Sequence, residues 1–212
     1  MPESIAPAFE RFIASERKAN RLADPPQVLA EGEVWHPVSV DAERATALLR
    51  VAALRASGIF RATKRTEVVW VDGDRELAVN VAELQVALQD GLLRVLIPVR
   101  CDQTGATRVE VAFAVGSPNA PAGLFASTFR RPSGPPLIVS AWGEALVAFA
   151  WQCVLGLVTG LAGAVGKDAR GNVLVPVELA ASAGVLQVMP MARHRFSGTS
   201  GLRATTIASQ PR

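Results

Sequence analysis

Residues 145–166 read ALVAFAWQCVLGLVTGLAGAVG, 22 positions without a charge. A run of that length and composition is either a helix buried in the core of a folded domain or a segment that crosses a bilayer, because about 20 apolar residues span the hydrocarbon layer. Projected at about 100° per residue, Glu144, Gln152 and Thr159 fall within about 80° of one another, Ser140 lies close by, and Gly156 and Gly163 border the stripe. The rest of the circumference is apolar. The pattern predicts a helix buried nearly all round, with one narrow polar seam turned to water or to a partner.

The bilayer reading draws on the length of the run and on Gly156-x-x-x-Gly160, a spacing that lets helices approach closely in lipid. Against it, Ala and Gly supply nine of the 22 positions. Trp142 and Trp151 stand at the start and middle, so no aromatic belt marks the far end. Arg130 and Arg131 on one side and Lys167 and Arg170 on the other give no charge asymmetry. The soluble reading is preferred, and it requires the chain's own strands to cover the run.

Strands are plentiful upstream. Residues 67–71 and 76–81 flank Asp72-Gly73-Asp74, a tight-hairpin signal. Residues 92–100 and 108–115 flank a second turn containing Gly105, and Val109, Val111, Phe113 and Val115 alternate with smaller or polar residues as one buried face requires. Residues 83–90, ELQVALQD, fit helix and strand templates equally well. Downstream of the apolar run, 173–179 and 185–191 form a third hairpin around 180–184, with Pro176 and Pro190 pushing it toward a sheet edge or a bulge. Between strands and run lies 116–136, GSPNAPAGLFASTFRRPSGPP, whose five prolines and three glycines predict a long irregular loop. Its Leu124, Phe125 and Phe129 are apolar, so it packs down or meets a partner.

Ahead of the strands, a helix is expected from Ala42 to Ser57, capped by Asp41, with Glu43 in its first turn and Gly58 at its end. Ala45, Leu48, Leu49 and Ala52 form its inner face. Residues 1–40 read as an amphipathic arm over 3–22, with Ile5, Phe9, Phe12 and Ile13 at helical spacing, followed by a Pro- and Gly-interrupted linker. Residues 193–212 carry Arg193, Arg195, Arg203 and Arg212 and no acid, and read as a disordered basic tail. The expectation is an α+β core domain over 41–192, a largely antiparallel sheet of about six strands packed on one long apolar helix, with an N-terminal helical arm.

The whole chain has 212 residues, 50% of them hydrophobic, with 22 basic and 19 acidic side chains for a net charge of +3. That balance is too even to mark a nucleic-acid binder, and residues 66–136 hold six basic against eight acidic residues. Two cysteines exclude a disulfide-dense scaffold. Glu3, Glu10, Arg11, Glu16, Arg17 and Lys18 interrupt any signal-peptide core, which favours a cytoplasmic start.

Chemistry-bearing motifs are scarce. His36, Cys101, Cys153 and His194 are far apart, with no metal-ligand spacing among them. The sequence has no nucleophile elbow and no phosphate-binding glycine loop; GAVGKDARG at 163–171 follows a helix where an anion site would open one. No metal or cofactor is expected. Glu144 is the one carboxylate worth following: buried among Trp142, Leu146 and Phe149 it would gain general-acid character, whereas in a first helical turn it would complement the dipole. Arg130 or Arg131 is its candidate partner, and Phe125 and Phe129 are candidate partner contacts.

These features predict a non-enzymatic assembly or protein-interaction subunit that binds a protein partner or itself. Two alternatives compete with it. One is a membrane-anchored protein with its span at 145–166. The other is an α+β enzyme or small-ligand module with Glu144 in an apolar pocket.

Overall fold

The computed structural model describes residues 37–57, 66–124, 131–165 and 174–192. The N-terminal arm, the basic tail and residues 125–130 lie outside the described residues, as do His36 and His194. The element order is β1 (Val38–Asp41), α1 (Ala42–Ala56), β2 (Glu67–Asp72), β3 (Arg75–Asn80), a 3-10 turn (Val81–Glu83), β4 (Gln85–Gln89), β5 (Gly91–Cys101), β6 (Gly105–Ser117), β7 (Ala120–Gly123), α2 (Pro136–Ala164), β8 (Leu174–Ser182) and β9 (Val185–Ala192). The fold is α+β, with all pairings antiparallel in one sheet ordered β1-β9-β8-β7-β6-β5-β3-β2, while β4 pairs with β5 beside β3.

The three expected hairpins are present. Gly73, Gly105 and Gly184 take φ of +63°, +66° and +78° in their turns, values that glycine adopts without a Cβ clash. The third turn is tighter than expected, only Ala183 and Gly184 separating Ser182 from Val185. Pro176 faces Pro190 across the β8–β9 ladder, next to a register shift. Both lie beyond the stretches that pair with β7 and β1, so their missing N–H groups leave no neighbouring strand without a donor.

Nine strands replace the expected six among the described residues. β1 lies in the segment read as a linker, and β4 resolves the ambiguity of 83–90 in favour of a strand after one 3-10 turn. β7 breaks the expectation of a wholly irregular 116–136 segment: it pairs with both β6 and β8 despite Pro121. A ladder of two residue pairs on each side needs few donors, so one proline is tolerated. Further on, Ser133 and Glu110 exchange backbone hydrogen bonds of 2.9 and 2.8 Å, docking the Pro-rich stretch beside β6. Pro98 sits where β5 changes partner, between the residues that pair with β4 (Leu92–Leu96) and those that pair with β3 (Val99–Arg100).

α2 begins earlier than the apolar run suggests. Pro136 occupies its first turn, where a missing N–H costs nothing, and the Pro135 carbonyl accepts from Ile138 and Val139 N–H at 3.0 Å each. Its 29 residues span about 43 Å at 1.5 Å per residue. Ile138, Trp142, Leu146, Phe149, Cys153, Leu157 and Leu161 recur at three- and four-residue spacing and are buried. They meet the inner residues of β5 and β6, among them Val95, Ile97, Val111 and Phe113, all fully buried. From the far edge, Trp70 of β2 packs edge-on against Phe149 with ring centroids 5.3 Å apart, and against Trp142 at 6.4 Å. The sheet therefore curls over the helix.

α1 is built as expected. Asp41 Oδ1 accepts from Arg44 N–H at 2.7 Å, and Ala45, Leu49, Ala52 and Ala53 are buried. Leu48 is half-buried rather than part of the inner face, although it packs against the core. The helix crosses α2 at Gly156, where a Cβ would stand 2.8 Å from the Cβ of Ala52.

Candidate functional site

Glu144 is exposed and lies in the third turn of α2, eight residues past the helix start at Pro136. It stands neither in an apolar pocket nor in a first turn, so both readings of its chemistry are corrected. Trp142, Leu146 and Phe149 are buried on the opposite side of the helix and leave Glu144 on the seam. The seam itself is where the projection puts it: Ser140, Glu144, Gly156, Thr159 and Gly163 are exposed, and Gln152 is half-buried. Gln152 Nε2 is buried and without a hydrogen-bond partner among the described residues. Arg131 is exposed and forms no ion pair with Glu144. Phe125, Phe129 and Arg130 lie outside the described residues.

The thiols divide by environment. Cys153 is fully buried in α2, and burial pushes its thiol well above the ordinary range. Cys101 ends β5 and is half-buried, with Sγ 3.1 Å from Thr104 Oγ1. That hydroxyl contact, helped by backbone N–H groups of the turn, lowers its pKa. Both cysteines are free. No group of three metal-ligating side chains forms among the described residues.

On the sheet face turned away from the helices, an open cleft of about 290 Å3 lies over the junction of β3, β5 and β6. Its charged lining includes Glu67, Glu83, Arg100 and Arg108, and Arg100 bonds Glu67 at 3.0 Å. Both partners of that bond are about half exposed, so water screens it and it contributes little. Nearby, Arg94 and Glu110 pair at 3.5 Å across β5 and β6, and Arg94 also donates to Gln89 at 2.8 Å. This arrangement presents mixed charge across β2, β5 and β6. It does not converge polar groups on a reacting atom.

The more distinctive surface is the border of the sheet. β4 turns one side to β5 and the other to α1 and the β8–β9 turn. There Val86 N–H donates to Thr46 Oγ1 at 3.0 Å, and the Leu88 carbonyl accepts from Gly184 N–H at 3.3 Å. Just before the strand, the Leu84 carbonyl accepts from Arg50 Nε at 2.8 Å. That edge is met at two of its outward backbone groups, Val86 N–H and Leu88 C=O. β1, at one end of the strand order, is four residues long and follows Pro37. β2, at the other end, is six residues long and reads EVVWVD, with Val69 46% exposed. Sequence reasoning finds β2 as a strand and misses it as an edge, because edge position depends on how distant strands are ordered.

No known protein family matches the sequence, and neither a curated protein nor a solved structure is significantly similar to the chain.

Proposed function

We propose that the chain is a non-catalytic assembly or protein-interaction subunit. The observation that carries this reading is the β2 edge: an apolar Val68-Val69-Trp70-Val71 run on a border that no described residue pairs with, in a sheet whose β4 border is met at Val86 N–H and Leu88 C=O. Natural sheets protect such edges with lysine, proline, bulges or covering elements. β2 has no lysine and no proline, and it pairs with β3 over six consecutive positions without a register shift. Charge stands only at its two ends, Glu67 and Asp72, and an apolar middle that no described residue pairs with is what a strand-pairing partner needs. The packing of the interior favours the same reading over a ligand module, since α1 and α2 fill the side of the sheet where a pocket would form.

The test is the mass of the particle that contains the chain. Tagged at one terminus and released gently from the cells that make it, the chain is expected in a species heavier than its own 22.4 kDa, measured by size exclusion with light scattering. A lone monomer in extract and in purified form, across a wide concentration range, would overturn the proposal.

A membrane-anchored reading rests on α2, which is long and apolar enough to cross a bilayer. Half of its most apolar window is nevertheless buried against the rest of the chain, and a spanning position would have to strip that cover away. Under the proposed reading the chain is cytoplasmic, and expression without detergent leaves it in the supernatant after membranes are spun out. Quantitative recovery in the membrane pellet would favour the bilayer reading.

A further inference from the structure

The β4 edge shows which backbone groups an edge strand turns outward here. β4 and β5 are joined by the two-residue turn Asp90-Gly91, with Gln89 paired to Leu92. The pair flanking such a turn exchanges hydrogen bonds, and alternate pairs do so along the ladder. Gln89, Ala87 and Gln85 therefore bond to β5, and Val86 and Leu88 aim their backbone groups outward, where Thr46 meets the Val86 N–H and Gly184 the Leu88 C=O. β2 and β3 are joined by an equivalent two-residue turn, Gly73-Asp74, with Asp72 paired to Arg75. By the same alternation Trp70 and Val68 bond to β3, and Glu67, Val69 and Val71 direct N–H and C=O groups away from the sheet. Among the described residues no donor or acceptor meets them.

We propose that β2 is a homotypic docking edge: two copies of the chain pair antiparallel along Glu67–Asp72, about a two-fold axis through Val69. The proposal deepens the assembly reading and rests on it. This register follows from the parity of the strand. Centred on Val69, it sets Val69 against Val69 and Glu67 against Val71 of the copy, so that all three outward-facing residues pair, with about six backbone hydrogen bonds. Centred on Trp70, only Val69 and Val71 would pair. A centre between residues 69 and 70 sets inward-facing groups against outward-facing ones, and it opposes Glu67 to Asp72.

The charges agree with the register. Glu67 is bonded to Arg100 and Asp72 to Arg75 of the same chain, at 3.0 and 2.9 Å. Each carboxylate enters the contact with an arginine of its own chain beside it, and neither faces its like. Val68 and Trp70, half-buried against the core at the border, come opposite each other across the axis, which continues the apolar layer from one copy into the next. Closure about a two-fold uses up the β2 edge of both copies, so the product is a dimer and not a filament. A strand pair of this length is a small contact, and the dissociation constant falls at about the micromolar level or weaker.

The experiment is sedimentation equilibrium of the full chain at concentrations up to about 1 mM, with variants at Val69. The wild type dimerises. Val69→Lys and Val69→Glu each raise the dissociation constant at least about tenfold, because like charges then stand directly opposite. Mixing the two variants restores a heterodimer, which only a contact of residue 69 with itself explains. Val51→Lys, at an equally exposed site on α1, leaves the dimer intact. Hydrogen exchange on the wild type supplies a second measurement that no folding defect can confuse: the Val69 amide becomes more protected as concentration rises. A dimer indifferent to the Val69 charges overturns this edge and leaves the assembly reading standing. A wild type monomeric at about 1 mM also overturns it, and the native particle mass then judges the assembly reading separately. An open-ended polymer would overturn the two-fold register.

Discussion

Replacing Gly156 by alanine adds one methyl group where α2 crosses α1. That methyl would lie 2.8 Å from Ala52 Cβ and 3.6 Å from Ala52 Cα. Carbon atoms pack best at about 3.5–4.0 Å, so α1 must retreat by roughly 1 Å. Ala52 Cβ is fixed to the α1 backbone, so no rotamer change can absorb the shift. Retreat would loosen Ala45, Leu49 and Ala53, each fully buried. Overpacking of this kind costs about 1–3 kcal/mol, against a helix-propensity gain of about 1 kcal/mol for losing a glycine. The net expectation is a destabilisation of about 1 kcal/mol. Gly160, one turn further along the same helix, has nothing within 4 Å of its would-be Cβ. Gly160→Ala should therefore keep the propensity gain, about 0.5–1 kcal/mol. Urea denaturation monitored by circular dichroism separates the two, with midpoints moving in opposite directions at unchanged slope. Ala52→Gly placed in the Gly156→Ala background removes the 2.8 Å contact, and the double-mutant cycle should show a favourable coupling of about 1 kcal/mol. If Gly156→Ala stabilises as much as Gly160→Ala, the two helices do not touch there and the packing argument fails.

Three further outcomes follow from single contacts. Thr46→Val keeps shape but strips Val86 N–H of its acceptor; unfolding free energy should drop by about 1–3 kcal/mol, and a variant as stable as the wild type in urea would show that the β4 edge needs no cap. In the native chain, a thiol reagent should modify Cys101 rapidly, with a rate that reaches half its maximum below the ordinary thiol pKa, and should modify Cys153 only after denaturation; equal rates for both would contradict the burial of Cys153. Because the Cys153 thiol is raised in the folded state, its stabilisation is complete below the unfolded thiol pKa of about 8.5 and declines above it by up to about 1.4 kcal/mol per pH unit. Cys153→Ala should flatten that alkaline decline in pH-dependent urea titrations, and an unchanged slope would assign it to other groups. The chain has no tyrosine and only three lysines, and the comparison is made in a Cys101→Ala background so that the second thiol, itself shifted, does not contribute.

What could be read in the sequence was local. Asp41 announces α1 because a capping carboxylate acts within three residues. The three hairpins are visible because glycine in a two- or three-residue turn and an alternating strand leave a short-range signature. The polar seam of α2 is legible because 3.6-residue periodicity survives in any environment. The errors have two causes. β7 is hidden in a Pro- and Gly-rich stretch because its strand character comes from β6 and β8, which are distant in sequence or need the β6–β7 turn to meet it. The start of α2 is hidden because Pro135-Pro136 reads as a breaker until the first-turn tolerance for proline is taken into account. Glu144 is mis-assigned for the same reason: moving the helix start back to Pro136 turns a presumed first-turn carboxylate into a third-turn surface residue.

The glycine spacing in α2 shows how one sequence feature supports two physical environments. Gly156-x-x-x-Gly160 brings helices close wherever a neighbour can use the space, and lipid is only one such setting. Here the neighbour is α1 of the same chain, and Ala52 fills the hollow at Gly156. Gly160 and Gly163 remain exposed on the seam with Glu144 and Thr159. A bilayer helix would turn its small residues inward and its large apolar ones to lipid. α2 does the reverse with most of its large side chains: Trp142, Leu146, Phe149 and Leu157 face the sheet and α1, and apart from Leu137 near its start the exposed positions are small or polar residues. The length of the run suits either environment, whereas most of its bulk points toward the sheet and α1, and exposed apolar side chains remain at Val69 on the β2 border and at Val51 and Leu137 on the helices.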